Sequence, residues 1–366
     1  MKELEIILKD NPFTKLVGGW QDKLNEIIEK PDFLYNSEEP SSQEWFCLPS
    51  DETRIRDFNN DLSNEVEWKK NKFRLHPEFI PQPFIGHPSA DIWFLNINPS
   101  WFASDVFAML NNKRSVRDLY MTNFKDTPGQ PGNGLYLSQN KKQGQGIRIR
   151  FNEENDLQKI RERGAIMLSQ LLLDYSTTTF FPLNECFNIV SGNEKNTMYN
   201  WWRDIILGSG SRNANAVFVG RKIINDLKCD HCKDKVRKLG QSVFVLEMNP
   251  YRSLKPDDKY SFIGYGLSED NEWGRFWKRL VKYGIMKKKT FIMRAKPNAT
   301  TSGSRSFLYK KFMEIFEELE KDQGGQLSLS LYLMSNVRNP TLSSGNLMIK
   351  TLNGWCKLNH YCAGQG

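Results

Sequence analysis

The chain has 366 residues, enough for one large domain or two, and 39% of them are hydrophobic, including 23 Phe and 10 Trp. That content excludes a disordered or low-complexity protein, since it supplies the apolar area for a true core. The formal charge of +8 is spread over short clusters such as Lys235 to Lys238 ("KVRK") and Lys287 to Lys289 ("KKK"), a balance that favours a polyanionic partner.

The opening "MKELEIILKDNPF" is charged, without the apolar core of a secretory signal, and no stretch is as long as a membrane span. A cytoplasmic protein is expected, with no membrane partner and no obligate protein partner. Residues 1–80 read as a helical accessory region, with amphipathic pieces at Leu4 to Leu8 and Leu16 to Ile28 followed by polar and charged segments. The main α/β domain is expected over 81–366, interrupted by a long insertion at about residues 105 to 240. Within it, residues 130–145 are rich in Gly, Gln and Asn and read as a loop. A helix is expected from Asp156 to Asp174.

Strand-like runs recur further along: 92–95, 215–220 ("NAVFVG"), 242–250 ("SVFVLEMNP"), 289–295 ("KTFIMRA") and 327–340 ("LSLSLYLMSNVRNP"). Between the later ones lie two helical patterns. Trp273, Phe276, Trp277, Leu280 and Val281 make one apolar stripe, opposite Arg275, Lys278, Arg279 and Lys282; Phe312, Ile315, Phe316 and Leu319 make the other. Strands alternating with amphipathic helices predict a layered α/β fold with a mostly parallel sheet. No repeat, P-loop or dinucleotide fingerprint is present.

Six cysteines scattered over so long a chain do not suggest a disulfide framework. Cys229 and Cys232 have the spacing of half a zinc site, with Cys356, His360 and Cys362 as the other half it would need. A lone CxxC is a weak pattern, so free thiols and no metal or other cofactor are expected.

Three of the strand-like runs end in Asn-Pro: Asn98-Pro99, Asn249-Pro250 and Asn339-Pro340. Proline ends ladder pairing and biases the preceding residue toward extended backbone, which puts each asparagine at the last position of its strand. Ligands of open α/β sheets bind outside the carboxyl ends of the strands, so neighbouring strands would bring three carboxamides into one crevice. An uncharged carboxamide suits the polar edge of a nucleobase. For a single pair a turn is the simpler reading; three at strand ends, flanked by Trp101 and Phe102 and by Tyr251 and Arg252, point toward base stacking and phosphate contact.

On these motifs the chain resembles the uracil-DNA glycosylase superfamily, in a divergent bacterial branch. "NINPS" (Asn96 to Ser100) is similar to the first motif of its mismatch-specific uracil/thymine members, Gly-Ile-Asn-Pro-Gly, with Ser100 in place of the final glycine. "RNPTLSSGN" (Arg338 to Asn346) resembles the second motif, and "VLEMNPYRS" (Val245 to Ser253) resembles the base-reading strand. The resemblance implies a three-layer α/β/α fold around a sheet of that type. It implies hydrolysis of the N-glycosidic bond of a modified or damaged pyrimidine flipped out of DNA, leaving an abasic site. Asn98 and Asn339 would be catalytic, Asn98 by positioning the attacking water. Trp101, Phe102, Asn249 and Tyr251 would bind the base, and Arg252, Arg338, Leu342, Ser343 and Ser344 would contact DNA, Leu342 as a wedge. In an alternative register Asn184 reads the base and Asn249 faces the leaving group.

The most active branch of the superfamily uses an aspartate and a histidine where this chain has asparagines. A carboxylate ~4 Å from the developing sugar cation is worth up to about 4 kcal/mol at an effective dielectric of ~20, or about three orders of magnitude in rate. Asparagines in both places suit a base that leaves easily and an enzyme that works by positioning. Defence against phage DNA with modified bases is one expected use; a reader that binds a modified base or DNA end without cleaving it is the alternative.

Overall fold

The computed structural model describes residues 2–29, 46–65, 73–77, 80–81, 83–97, 168–169, 171–173, 243–251, 253, 270–293, 304–325, 327–334, 347–351 and 354–357. In chain order these form α1 (Lys2–Leu8), α2 (Val17–Glu29), α3 (Glu52–Asp61), β1 (Phe84–Ile85), β2 (Ile92–Asn96), β3 (Val243–Glu247), α4 (Glu272–Met286), β4 (Thr290–Met293), α5 (Ser304–Asp322), β5 (Ser330–Met334), β6 (Leu347–Thr351) and β7 (Gly354–Lys357).

The strands make one seven-stranded sheet in the order β1-β3-β2-β4-β5-β6-β7. Its four inner strands, β3, β2, β4 and β5, are parallel, as their apolar runs and intervening helices predict. The expectation of a mostly parallel sheet holds only for this centre. β1 joins β3 antiparallel, and β6 and β7 extend the other edge antiparallel, so the sheet is mixed. Short connections explain the difference: β6 and β7 are separated by two residues, too few for the crossover a parallel pair needs.

The two faces of the sheet are unequal. Alternation along each strand sends Trp93, Leu95, Phe244, Leu246, Phe291, Met293, Leu331 and Leu333 into the large core, where the apolar stripes of α4 and α5 cover them. All five stripe positions of α4 are buried, and so are the four of α5. Trp93 sits at the centre of this layer, its ring 4.8 Å from Phe244 and 5.7 Å from Phe291 by centroids, both edge-on, the arrangement aromatic quadrupoles prefer. Phe94, Val243, Val245, Ile292, Met334 and Leu347 form a smaller cluster on the opposite face. Helices α1, α2, α4 and α5 contribute to the first face, and no described helix contributes to the second cluster.

α4 starts cleanly because Asn271 caps it: with extended backbone, its Oδ1 accepts from Gly274 N at 3.1 Å. It stops as a Schellman motif. Lys288 takes the left-handed conformation (φ 54°), Lys288 N donates to Ile285 O and Lys289 N to Gly284 O, both at 2.9 Å, and β4 begins two residues on. Gly284 lets the helix approach the sheet closely, since a Cβ there would lie 2.8 Å from the Phe291 ring and 3.2 Å from Trp93.

The N-terminal region, expected as an accessory, belongs to this same core. Leu4, Ile7, Phe13, Trp20, Leu24, Phe46 and Leu48 are buried in the cluster that contains Trp273 and Phe276. Phe13 lies 5.8 Å from Trp273 and 6.4 Å from Phe84 by ring centroids. Buried Asn11 donates from Nδ2 to Leu171 O at 2.5 Å, and at the surface Lys287 pairs with Glu3 at 2.8 Å and Arg279 with Asp10. Of the helix expected over 156–174, Leu168 and Ser169 are helical and Leu168 and Leu171 are buried in the large core; the 215–220 run lies outside the described residues. No helix among the described residues is long and apolar enough to cross a membrane.

Candidate functional site

Strand order reverses at β2: the chain passes from it to β3 on one side and then to β4 and β5 on the other. The crevice outside the carboxyl ends of the strands at such a reversal is where open α/β sheets bind ligands. Two side chains from the last rungs of the β2–β3 ladder meet there. Asn96 is paired in register with Glu247, and its Nδ2 donates to Glu247 Oε1 at 3.2 Å. Both residues lie on the strand face opposite the described helices, in line with Ile92 and Phe94 on β2 and with Val243 and Val245 on β3. Glu247 is only 6% exposed. A carboxylate oxygen accepts, so the amide nitrogen of Asn96 must face it, and Oδ1 is turned away. That oxygen is buried and has no hydrogen-bond partner among the described residues.

Beyond the strands the two chains stay joined: Met248 N donates to Asn96 O at 2.9 Å and Asn249 N to Ile97 O at 2.7 Å. The segments that follow β2 and β3 therefore leave the sheet side by side as far as Ile97 and Asn249. Asn249 is 3% exposed, and its Oδ1 accepts from Tyr251 N at 3.0 Å, a local turn that holds the segment compact. Its acceptor is thus committed, while its Nδ2 makes no hydrogen bond among the described residues.

Behind this segment sits a buried polar knot. Tyr251 OH donates to Asp51 Oδ2 at 2.5 Å and accepts from Leu48 N at 3.1 Å, and Asn271 Nδ2 donates to Asp51 Oδ1 at 2.5 Å. Trp273 Nε1 adds a bond to Met248 O at 2.7 Å. One carboxyl group so ties the loop before α3 to the segment after β3 and to the cap of α4. Burial pushes the Asp51 carboxyl above its ordinary range, against the two donors that hold it down, and burial raises the Tyr251 hydroxyl further from ionisation. The neighbouring Cys47 thiol is pushed up to about 12, first by burial and then by the charge of Asp51.

These contacts correct one expected role. Tyr251 is not a stacking surface for a base: it is 1% exposed and packed with Cys47, Ile55 and Leu75, and its hydroxyl serves Asp51. A tyrosine after a strand-end proline looks the same in sequence whether its ring faces ligand or core. The lysine cluster at 287–289 is corrected too. Lys289 pairs with Asp91 at 3.1 Å and donates to Ser89 O, and it precedes β4, at the end of the sheet away from the site. On α4, Lys278 and Lys282 both pair with Glu318, whose carboxyl the Lys282 hydrogen bond in particular holds below its ordinary value. These cations serve the fold.

Asn98, Asn339, Trp101, Phe102, Arg252, Arg338, Leu342, Ser343 and Ser344 lie outside the described residues, as do Asn184, Cys229 and Cys232 and the 235–238 cluster. β5, which leads toward Asn339, is parallel to β2 and ends at the same edge. Cys356 is a free thiol on β7, and no group of three metal-ligating side chains occurs among the described residues. Sequence reasoning passed over the Asn96–Glu247 pair, because nothing local says that residues 151 positions apart are ladder partners. It also passed over Asp51, although Asn271 carries a readable cap signal.

No family model, curated protein or solved structure matches the chain.

Proposed function

We propose that the protein is a monofunctional DNA glycosylase with a sheet of the uracil-DNA glycosylase type. It takes a modified or damaged pyrimidine out of DNA, hydrolyses the bond from its N1 to C1′ of the sugar and leaves an abasic site. The observation that supports this reading is that β2 and β3, the strands that precede Asn98-Pro99 and Asn249-Pro250 in the sequence, are parallel neighbours at the point where strand order reverses. Asn98 orients a water, the oxygen of which bonds to C1′ as the C1′–N1 electron pair leaves with the base; a proton from that water balances the charge on the departing pyrimidine. Asn249 offers the base a donor through Nδ2, since its oxygen is held by Tyr251 N. Asn339 faces the leaving base from the segment after β5. With no charged catalyst at the two Asn-Pro motifs, rate comes from positioning in a site shielded from water. The biological use that fits is cytoplasmic defence against phage DNA carrying modified bases.

The test is to incubate the full chain with phage DNA carrying 5-substituted pyrimidines and with unmodified DNA, then to count alkali-labile breaks over time. Breaks in modified DNA that disappear in Asn98→Ala, with DNA binding retained, are expected. Inertness on every DNA sinks the proposal, and binding without breaks means a non-catalytic reader.

A further inference from the structure

At the carboxyl end of β2 and β3 the side-chain chemistry is acceptor-rich. Glu247 brings a carboxyl group into a site where it is 94% removed from solvent, and Asn96 is turned by it so that a carbonyl oxygen, not an amide N–H, faces away from the pair. The backbone acceptors nearby are already engaged: Asn96 O by Met248 N, Ile97 O by Asn249 N and Met248 O by Trp273 Nε1. Asn96 Oδ1 is the acceptor left over, buried and with no partner among the described residues. A buried oxygen in that condition costs about 1–3 kcal/mol, which a ligand donor would relieve.

The matching ligand edge is one that donates. Pyrimidines differ at ring position 4 in this respect: cytosine and its 5-substituted forms carry an exocyclic amine with two N–H groups, whereas uracil and its forms carry an oxygen. An oxygen facing Asn96 Oδ1 would meet a like partial charge, and that acceptor would stay unpaired. We infer that Asn96, held in orientation by Glu247, is a specificity-determining residue that selects a 4-amino pyrimidine over its 4-oxo counterpart. This rests on the glycosylase reading for the identity of the ligand as a flipped base. Asn96 is the group that touches the base; Glu247 is a positioning residue, because the bond that Glu247 Oε1 accepts from Asn96 Nδ2 fixes which end of the carboxamide points out.

The experiment uses the full chain and oligonucleotides that differ at one position in matched pairs: cytosine against uracil, and 5-hydroxymethylcytosine against 5-hydroxymethyluracil. Single-turnover abasic-site formation is measured beside equilibrium binding to the same sequences carrying 2′-fluoroarabino sugars, which resist hydrolysis. The amine member of each pair is expected to be preferred about tenfold or more, the scale of one well-placed polar contact to a base edge. Glu247→Gln, whose amide can donate or accept, should bring that ratio toward one, as should Asn96→Leu. A merely structural role for Glu247 would lower both members equally and leave the ratio alone. Preference for the oxo member, or a ratio unmoved in both variants, overturns the inference. If no oligonucleotide is cleaved but the amine preference persists in binding and is lost in Glu247→Gln, the glycosylase reading fails and the selection stands. Absence of any amine preference in binding as well overturns the selection.

Discussion

Replacing Asp51 with alanine removes the one acceptor that serves both Tyr251 OH and Asn271 Nδ2, each 2.5 Å from it. Both donors are buried, and a buried donor stripped of its partner costs about 1–3 kcal/mol. The sum is about 2–6 kcal/mol, reduced by the desolvation that the buried carboxyl itself no longer bears, so a loss of about 3 kcal/mol is expected. Tyr251→Phe strands Leu48 N and one Asp51 oxygen, for a comparable loss. Because the two changes break the same bond, the double variant should fall short of additivity by about 1–3 kcal/mol. Urea denaturation followed by tryptophan fluorescence reads all three, with Trp273 reporting from beside the knot. An Asp51→Ala protein within about 0.5 kcal/mol of the parent, or strict additivity in the double variant, would refute the claim that this carboxyl clamps the segment after β3.

The same group sets a pH dependence. Its folded pKa lies above the ordinary 3.8, chiefly through burial, so the folded state holds the proton more tightly than the unfolded chain. Its contribution is therefore fully present below about pH 3.8 and is lost as pH rises through the folded value; Asp51→Asn should lack that loss, and denaturation midpoints of the two proteins across pH 3.5–7 should diverge in favour of the variant toward neutral pH. Gly284→Ala should cost about 1–3 kcal/mol by overpacking, since the new methyl meets the Phe291 ring at 2.8 Å, and a thermal melt checks it. Cys47, with its thiol pushed up to about 12 and its side chain buried, should resist alkylation at pH 8 until denaturant is added, which mass spectrometry of the labelled peptide will show.

The parts legible in the sequence are those whose signal is local. The stripes of α4 and α5 and the apolar runs of β2 to β5 each declare their period within a dozen residues, and the structure follows them. β1 is two residues long and carries no period, so it was invisible. The β6–β7 pair does carry a local mark, the Asn353-Gly354 step between two apolar stretches, of the kind common in hairpins. The site divided in the same way. Proline marked where the Asn98 and Asn249 segments end, but the contacts that decide what each side chain does, Asn96 with Glu247 and Asp51 with Tyr251 and Asn271, join positions 151, 200 and 220 apart. Only the ladder register and the packing of α3 create those neighbours. That one end of the Asn96 amide is satisfied and the other is not becomes visible only once Glu247 lies opposite.

The core that joins the first helices to α4 also dictates an order of events during synthesis. Phe13 packs against Trp273, so it leaves the ribosome some 260 residues before that partner. At ~5–20 residues per second this is a wait of roughly 10–50 s, in which Phe13 can meet Phe84 of β1 but not the helix that completes the core around them. The polar knot waits in the same way, because Asp51 finds its donors only when the segment after β3 and the cap of α4 have arrived. The finished sheet edge, and with it any activity housed there, is thus assembled by the return of the oldest part of the chain to the newest.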